Sequence, residues 1–148
     1  MHMLGEPKGM QLAPQYEDVV RDISRYLCEQ AQMLEEVGIA HERICIDPGP
    51  GFGKTTDHNL SLLRATRQLS ELGWSLMVAV SRKRFVGEIT GVAKADERVF
   101  GSIAGACYAE QLWRVYMTWR LQCRHFGCFV QYRMSPKSKA SFSAAAWP

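Results

Sequence analysis

Ten residues, Asp47 to Thr56 ("DPGPGFGKTT"), concentrate the groups in this chain that can do chemistry. An aspartate is followed by three alternating glycines, a phenylalanine and a Gly-Lys-Thr ending. Such an ending belongs to loops that wrap phosphate in backbone N–H groups, whose full pattern is G-x-x-x-x-G-K-[ST]. Counting back from Gly53-Lys54-Thr55 puts the first glycine at position 48, which is Pro48, a residue with no N–H to donate. Gly49 would leave the loop one residue short. The spacing argues against an ATP or GTP site, with Lys54 as its lysine, and asks for another use of a carboxylate ahead of glycines.

An ionised Asp47 can accept two hydrogen bonds from an amino-substituted nitrogen heterocycle, or it can close a turn on its own backbone. Gly49, Gly51 and Gly53 allow close approach to a flat ligand, or a positive φ. Phe52, held between glycines, can stack on a ring. Further on, "VSRKRFVGEI" offers Lys83, a compact charge with three donors that suits a ring carbonyl or a phosphate. Read alone, Lys83 is better taken as a solvated lysine beside Arg82 and Arg84. Set beside Asp47, it completes a donor–acceptor clamp. His2 and His58 lack metal-ligand spacing and are assigned no ligand role; no metal site is expected.

For that clamp to exist, two strand tips must lie side by side. Apolar residues recur at helical spacing from Tyr16 to Val37, and Gly38 is a natural stop. "RICID" is a short β-rich run ending at Asp47. Asn59–Leu72 returns to the helical period and stops at Gly73. "SLMVAV", residues 75–80, is a buried type of strand that leads into Ser81-Arg82-Lys83. A short helix follows within "SRKRFVGEITG", and a helix rich in small residues spans 95–112. Met1-His2-Met3 reads as the end of a further strand. Strands alternating with helices predict an α/β fold with parallel strands, and ligands in such folds sit at the carboxyl ends of the strands.

Composition sets the class. The chain has 148 residues, 47% hydrophobic and 22% charged, as in a water-soluble globular domain. No apolar run reaches the ~20 residues of a membrane span, and no signal peptide is evident. Five cysteines without framework spacing indicate a reducing, cytoplasmic setting, with Cys28 and Cys45 expected as small core residues. The net charge of +3 conceals a break. All 15 acidic residues lie at or before Glu110, whereas residues 111–148 hold six Lys/Arg and three of the four tryptophans.

The motifs "MHMLGEPKGMQ", "DPGPGFGK" and "VSRKRFVGEI", in this order and spacing, resemble the second half of dihydropteroate synthase, over residues 1 to about 112. The resemblance implies part of a TIM (β/α)8 barrel, a fold of eight strands and about 250 residues. It implies condensation of p-aminobenzoate with a hydroxymethyl-dihydropterin pyrophosphate, with release of pyrophosphate, in a sulfonamide-sensitive enzyme of folate synthesis. By position, Asp47, Lys83 and Met1 correspond to pterin-binding residues, and Ser81, Gly51 and Phe52 to the p-aminobenzoate side. Mg²⁺ is implied as cofactor, its ligand segment lying outside this sequence, and a homodimer is implied for the complete enzyme. Pro50 departs from the apolar residue the family usually carries there. On this basis the chain is expected to be an inactive fragment, or alternatively a non-enzymatic pterin-binding or partner-docking remnant.

The last part departs from the family. Where "RVHDV" is expected, the chain reads "RVYMTWR", Arg114 to Arg120. Tyr116-Met117-Thr118-Trp119 is encoded TAY-ATG-ACN-TGG, and one frame away TAC-ATG-ACN-TGG contains CAT-GAC-NTG, which spells His-Asp and then Val, Leu or Met. Out-of-frame translation of a family member accounts for the vanished acidic residues and the excess of Trp, Arg and Ser. Residues 113–148 are therefore expected to form an aberrant, irregular basic tail rather than a nucleic-acid arm, with Cys123, His125 and Cys128 forming no metal site. Residues 1–112 are expected to form the barrel half.

Overall fold

The computed structural model describes the chain except residues 7, 11, 13, 113–115, 124–125 and 133–148; for 112, 116–123 and 126–132 it describes the backbone. Helix α1, Val19–Glu36, starts where Asp18 accepts from the amides of Val20 and Arg21 at 2.9 and 3.0 Å. That cap satisfies two of the helix's orphan donors and places the start three residues after Tyr16. Val19, Ile23, Leu27 and Ala31 recur every four residues and form the buried stripe. Met33, Leu34 and Val37, which share the apolar pattern, are exposed. Gly38, at φ 90°, ends the helix as its amide and that of Ile39 return to the Glu35 and Leu34 carbonyls.

A 3₁₀ turn, His41–Arg43, leads into strand β1, Cys45–Ile46. The strand is shorter than "RICID" because Arg43 belongs to the turn and Asp47 to the next one. Ile44 and Ile46 take the inward side of the pleat, so Cys45 between them is exposed and Cys28 on α1 only half-buried. The expectation of two core cysteines is corrected accordingly. The predicted helix 59–72 is two helices, α2 (Thr56–Arg64) and α3 (Thr66–Ser70), broken at Ala65. Buried Thr66 donates to the Leu63 carbonyl at 2.7 Å, which satisfies its hydroxyl where the chain bends. Strand β2, Ser75–Val78, pairs parallel with β1, Cys45 opposite Ser75 and Ile46 opposite Leu76.

Helix α4, Arg84–Thr90, ends on Gly91 in the left-handed conformation. After a 3₁₀ turn at Ala95–Glu97 comes α5, Val99–Leu112. Its small residues allow close approach: Ser102, Ala106 and Ala109 are buried, and a Cβ on Gly101 would lie 2.7 Å from Val86 Cγ1. The inward residues of β1, β2, α1, α2, α3, α4 and α5 form one apolar core, with Ile23 and Leu69 wholly buried. The α/β reading with parallel strands holds. No strand is assigned at Met1–Met3, although the His2 amide donates to the Asp47 carbonyl at 2.9 Å.

The irregular tail is corrected over part of its length. Strand β3, Tyr116–Cys123, runs parallel to β2, and β4, Phe126–Tyr132, pairs antiparallel with β3, giving the order β1-β2-β3-β4. Both segments are rich in aromatic and β-branched residues, and the open edge of β2 offers them a ladder. The remainder of the tail lies outside the described residues.

Candidate functional site

Because β1 and β2 are parallel, their carboxyl ends open to the same side. Asp47 follows β1 directly, and Ser81-Arg82-Lys83 follows β2 after buried Val80. Asp47 is 8% exposed, and its Oδ1 accepts from the Gly49 amide at 2.7 Å. It therefore does close a turn on its own backbone. Gly49 is required there, since its φ is 64° and a Cβ would fall on the His2 carbonyl oxygen. Met1 lies over the same turn, its Cγ 3.3 Å from where that Cβ would be, and is 56% exposed.

The glycine loop turns its amides inward. The Gly51 amide donates to Asn59 Oδ1 at 2.7 Å, and the Phe52 amide to the Gly49 carbonyl at 3.1 Å. Asn59, buried at the start of α2, also donates to the Thr55 carbonyl at 2.8 Å. Tyr16 closes the far side through a 2.8 Å bond to the Gly53 carbonyl. Thr55 caps α2 by accepting from the His58 amide, and the Thr55 amide donates to His58 Nδ1. His58 is thus a capping residue. Lys54, 1% exposed, points inward to the Phe52 carbonyl and the His2 ring. The Gly49, Gly51 and Phe52 amides and the Lys54 ammonium are thus engaged within the protein rather than turned out toward a phosphate.

Lys83 leans over this loop from the neighbouring strand. Its stem passes 3.2 Å from where a Gly51 Cβ would stand, and its ammonium lies 3.9 Å above the Phe52 ring centroid. Burial lowers the Lys83 pKa and the Asp47 charge opposes that; burial raises the Asp47 pKa, opposed by the Gly49 N–H and by the Lys83 and Lys54 charges. Each charge is within the other's field. Asp47, Lys83, Met1, Gly51 and Phe52 are therefore brought to one place, while Ser81 sits half-buried at the β2 tip. Phe52 lies beneath Lys83, on the clamp side of the loop.

The tip that carries Lys83 is strained and braced. Arg82 has φ 56°, a left-handed conformation unusual for arginine. Its amide donates to Ser102 Oγ at 2.8 Å, and that hydroxyl donates to the Arg98 carbonyl at 2.7 Å. The Arg98 guanidinium reaches the carbonyls of Arg82, Lys83, Val92 and Ala93. Gly87 leaves room for it, since a Cβ there would meet Arg98 Nε. Sequence reading missed Arg98, Ser102 and Asn59, and took Lys54 only as a nucleotide-loop lysine. For Lys54, the glycine flank was a usable signal; Arg98 and Ser102 lie on another element with no local pattern to reveal them.

A family model described as pterin binding enzyme matches residues 1–112. The chain belongs to this family. Among curated relatives, it is 49% identical over 109 residues to the dihydropteroate synthase of Neisseria meningitidis serogroup B, covering 72% of this chain and 38% of the relative. The crystal structure of dihydropteroate synthase from Stenotrophomonas maltophilia with active site-bound imidazole is 41% identical with a TM-score of 0.74, covering 78% of this chain and 44% of that one. Dihydropteroate synthase from Xanthomonas albilineans in complex with 7,8-dihydropteroate is 40% identical with a TM-score of 0.71, covering 78% of this chain and 41% of that one. The chain thus spans about two-fifths of the length of the family members it matches.

Proposed function

We propose that this chain carries the pterin-recognising strand tips of a dihydropteroate synthase, which joins p-aminobenzoate to hydroxymethyl-dihydropterin pyrophosphate in folate synthesis. The observation that carries the reading is the convergence of Asp47 and Lys83 from adjacent parallel strands over the Phe52 loop. Asp47 accepts from the amino-pyrimidine N–H groups of the pterin, and Lys83 donates to the ring carbonyl. Met1 packs on the ring from the Gly49 side, and Gly51, Phe52 and Ser81 border the arylamine. In this reading residues 1–112 are part of a (β/α)8 barrel, distinct from the tail 113–148.

The reaction is substitution at the exocyclic methylene. The arylamine nitrogen forms a bond to that carbon, the carbon–oxygen bond to pyrophosphate breaks, and the amine loses a proton. Residues of this chain hold the ring so that the methylene faces the amine, a proximity effect rather than covalent catalysis. Among the described residues no three metal-ligating side chains converge, and the Asp47 carboxylate of the cleft is accompanied by the ammonium ions of Lys54 and Lys83. They do not suit Mg²⁺, and no step is routed through it.

The complete enzyme is taken to work in the cytoplasm as a homodimer; exposed Ile89, Phe100, Ile103 and Tyr108 on α4 and α5 are compatible with a partner surface. No described helix is long and apolar enough to cross a membrane. By itself this chain binds a pterin without turning it over. Calorimetry with 6-hydroxymethylpterin, paired with a condensation assay containing p-aminobenzoate and Mg²⁺, tests this. Binding without product is expected. Absence of heat defeats the pterin reading, and product formation defeats the inactive-fragment reading. Activity restored by adding an upstream fragment of a relative favours a docking remnant.

A further inference from the structure

The least exposed charge in the described residues is Lys54, and its place is not explained by a role in touching ligand. It is 1% exposed and sits directly beneath the loop that carries Phe52. Its Nζ donates to the Phe52 carbonyl at 2.9 Å and to His2 Nδ1 at 3.0 Å. His2 in turn donates its amide to the Asp47 carbonyl at 2.9 Å. One buried ammonium therefore links both ends of the Asp47–Phe52 loop to the N-terminal segment. We propose that Lys54 is the positioning residue of this cleft, a buried ammonium that ties the Phe52 loop to His2 and, through His2, to the Asp47 turn.

Three further observations agree. Burial and the Lys54 charge hold the His2 pKa down to about 4, so the ring is neutral at neutral pH and its Nδ1 can accept from the ammonium. The Lys54 pKa is lowered to about 8, by burial first and Lys83 as well, with Asp47 opposing. Lys54, after the N-terminal ammonium and Lys83, is the last of the positive charges that keep the Asp47 carboxyl from rising further. A neutral lysine would leave Asp47 more readily protonated, and a protonated Asp47 cannot accept two bonds from an amino-pyrimidine edge.

This inference rests on the pterin reading, so its test begins on the free chain. Carbon-13 NMR of labelled aspartate and lysine follows the titration of Asp47 and Lys54 in the wild type and in Lys54→Met. A Lys54 midpoint near 8, against the ordinary 10.5, is expected in the wild type. The Asp47 midpoint is expected to rise in Lys54→Met, since one of the positive charges that oppose its upward shift is removed. An ordinary lysine midpoint for Lys54 overturns the proposal, even where the variant fails to fold, as does an Asp47 midpoint unmoved by the substitution. Titration with 6-hydroxymethylpterin at neutral pH then separates the two readings. About tenfold weaker binding by Lys54→Met, partly restored in Lys54→Arg, supports the positioning role. A wild type that binds no pterin but shows the shifted midpoints sinks the pterin reading and leaves the buried lysine tie standing.

Discussion

At the scale of single residues, Asp47 and Lys83 act through charge and Gly49 through its missing side chain. Asp47→Asn keeps the shape of the turn and removes the charge. Pterin affinity is expected to fall by roughly 10–100-fold, the worth of a hydrogen bond to an ionised group, as read by calorimetry. Lys83→Met should weaken binding similarly, and the double variant by less than the product, because the two groups share one ligand and one field. Gly49→Ala faces both a positive φ of 64° and a collision with the His2 carbonyl. Gly91→Ala faces only a positive φ of 71° in open space. Urea denaturation should therefore show Gly91→Ala destabilised by about 1–2 kcal/mol and Gly49→Ala by clearly more. Residue types at strand ends made Asp47, Lys83 and the glycines legible in the sequence. The bracing by Arg98 and Ser102 was not, because it joins residues 15 or more positions apart.

At the scale of elements, the two strand tips are set by what packs behind them. Asn59 opens α2 and takes up both the Gly51 amide and the Thr55 carbonyl. Asn59→Ala removes both bonds, and a loss of about 1–3 kcal/mol is expected in denaturant melts, together with weaker pterin binding. The opposite ends of the strands are fastened by a pH-sensitive latch. His41 donates from Nδ1 to Glu35 at 2.6 Å and from Nε2 to the Gly73 carbonyl at 3.1 Å, stacked on Trp74. Both ring nitrogens face oxygen acceptors, which favours the imidazolium. The Glu35 bond chiefly, then the Gly73 carbonyl, raises the His41 pKa above 6.5; the His41 and Trp74 bonds lower that of Glu35 below 4.5. The histidine contribution is complete below 6.5 and fades as pH rises through its raised value. That of the glutamate is complete above 4.5 and fades as pH falls through its lowered value. The melting-temperature gap between wild type and His41→Gln should be widest between those two pH values and narrow as pH rises through the raised His41 value; a gap independent of pH would contradict the latch. Periodicity revealed the helices and strands. It missed the break at Ala65 because Thr66 satisfies its own hydroxyl there, a local bond that leaves the apolar period intact.

At the scale of the whole molecule, the family was legible because three separated motifs converge on one pair of strand tips. The tail was misread as irregular over β3 and β4. Its composition signalled an altered origin, yet aromatic and β-branched runs need only an unpaired neighbour to become strand, and the edge of β2 supplies one. Deleting residues 113–148 should therefore uncover that edge and promote self-association, seen as a concentration-dependent rise in mass by light scattering; a monodisperse monomer would show the edge to be protected in another way. What unites the account is one shared cleft between Asp47 and Lys83. A crystal structure of the chain grown with 6-hydroxymethylpterin tests that most directly. The amino-pyrimidine edge is expected on Asp47, the ring carbonyl on Lys83 and the ring face beside Met1, with Phe52 on the side left for the arylamine. A pterin bound elsewhere, with Asp47 and Lys83 opening into separate spaces, would contradict it.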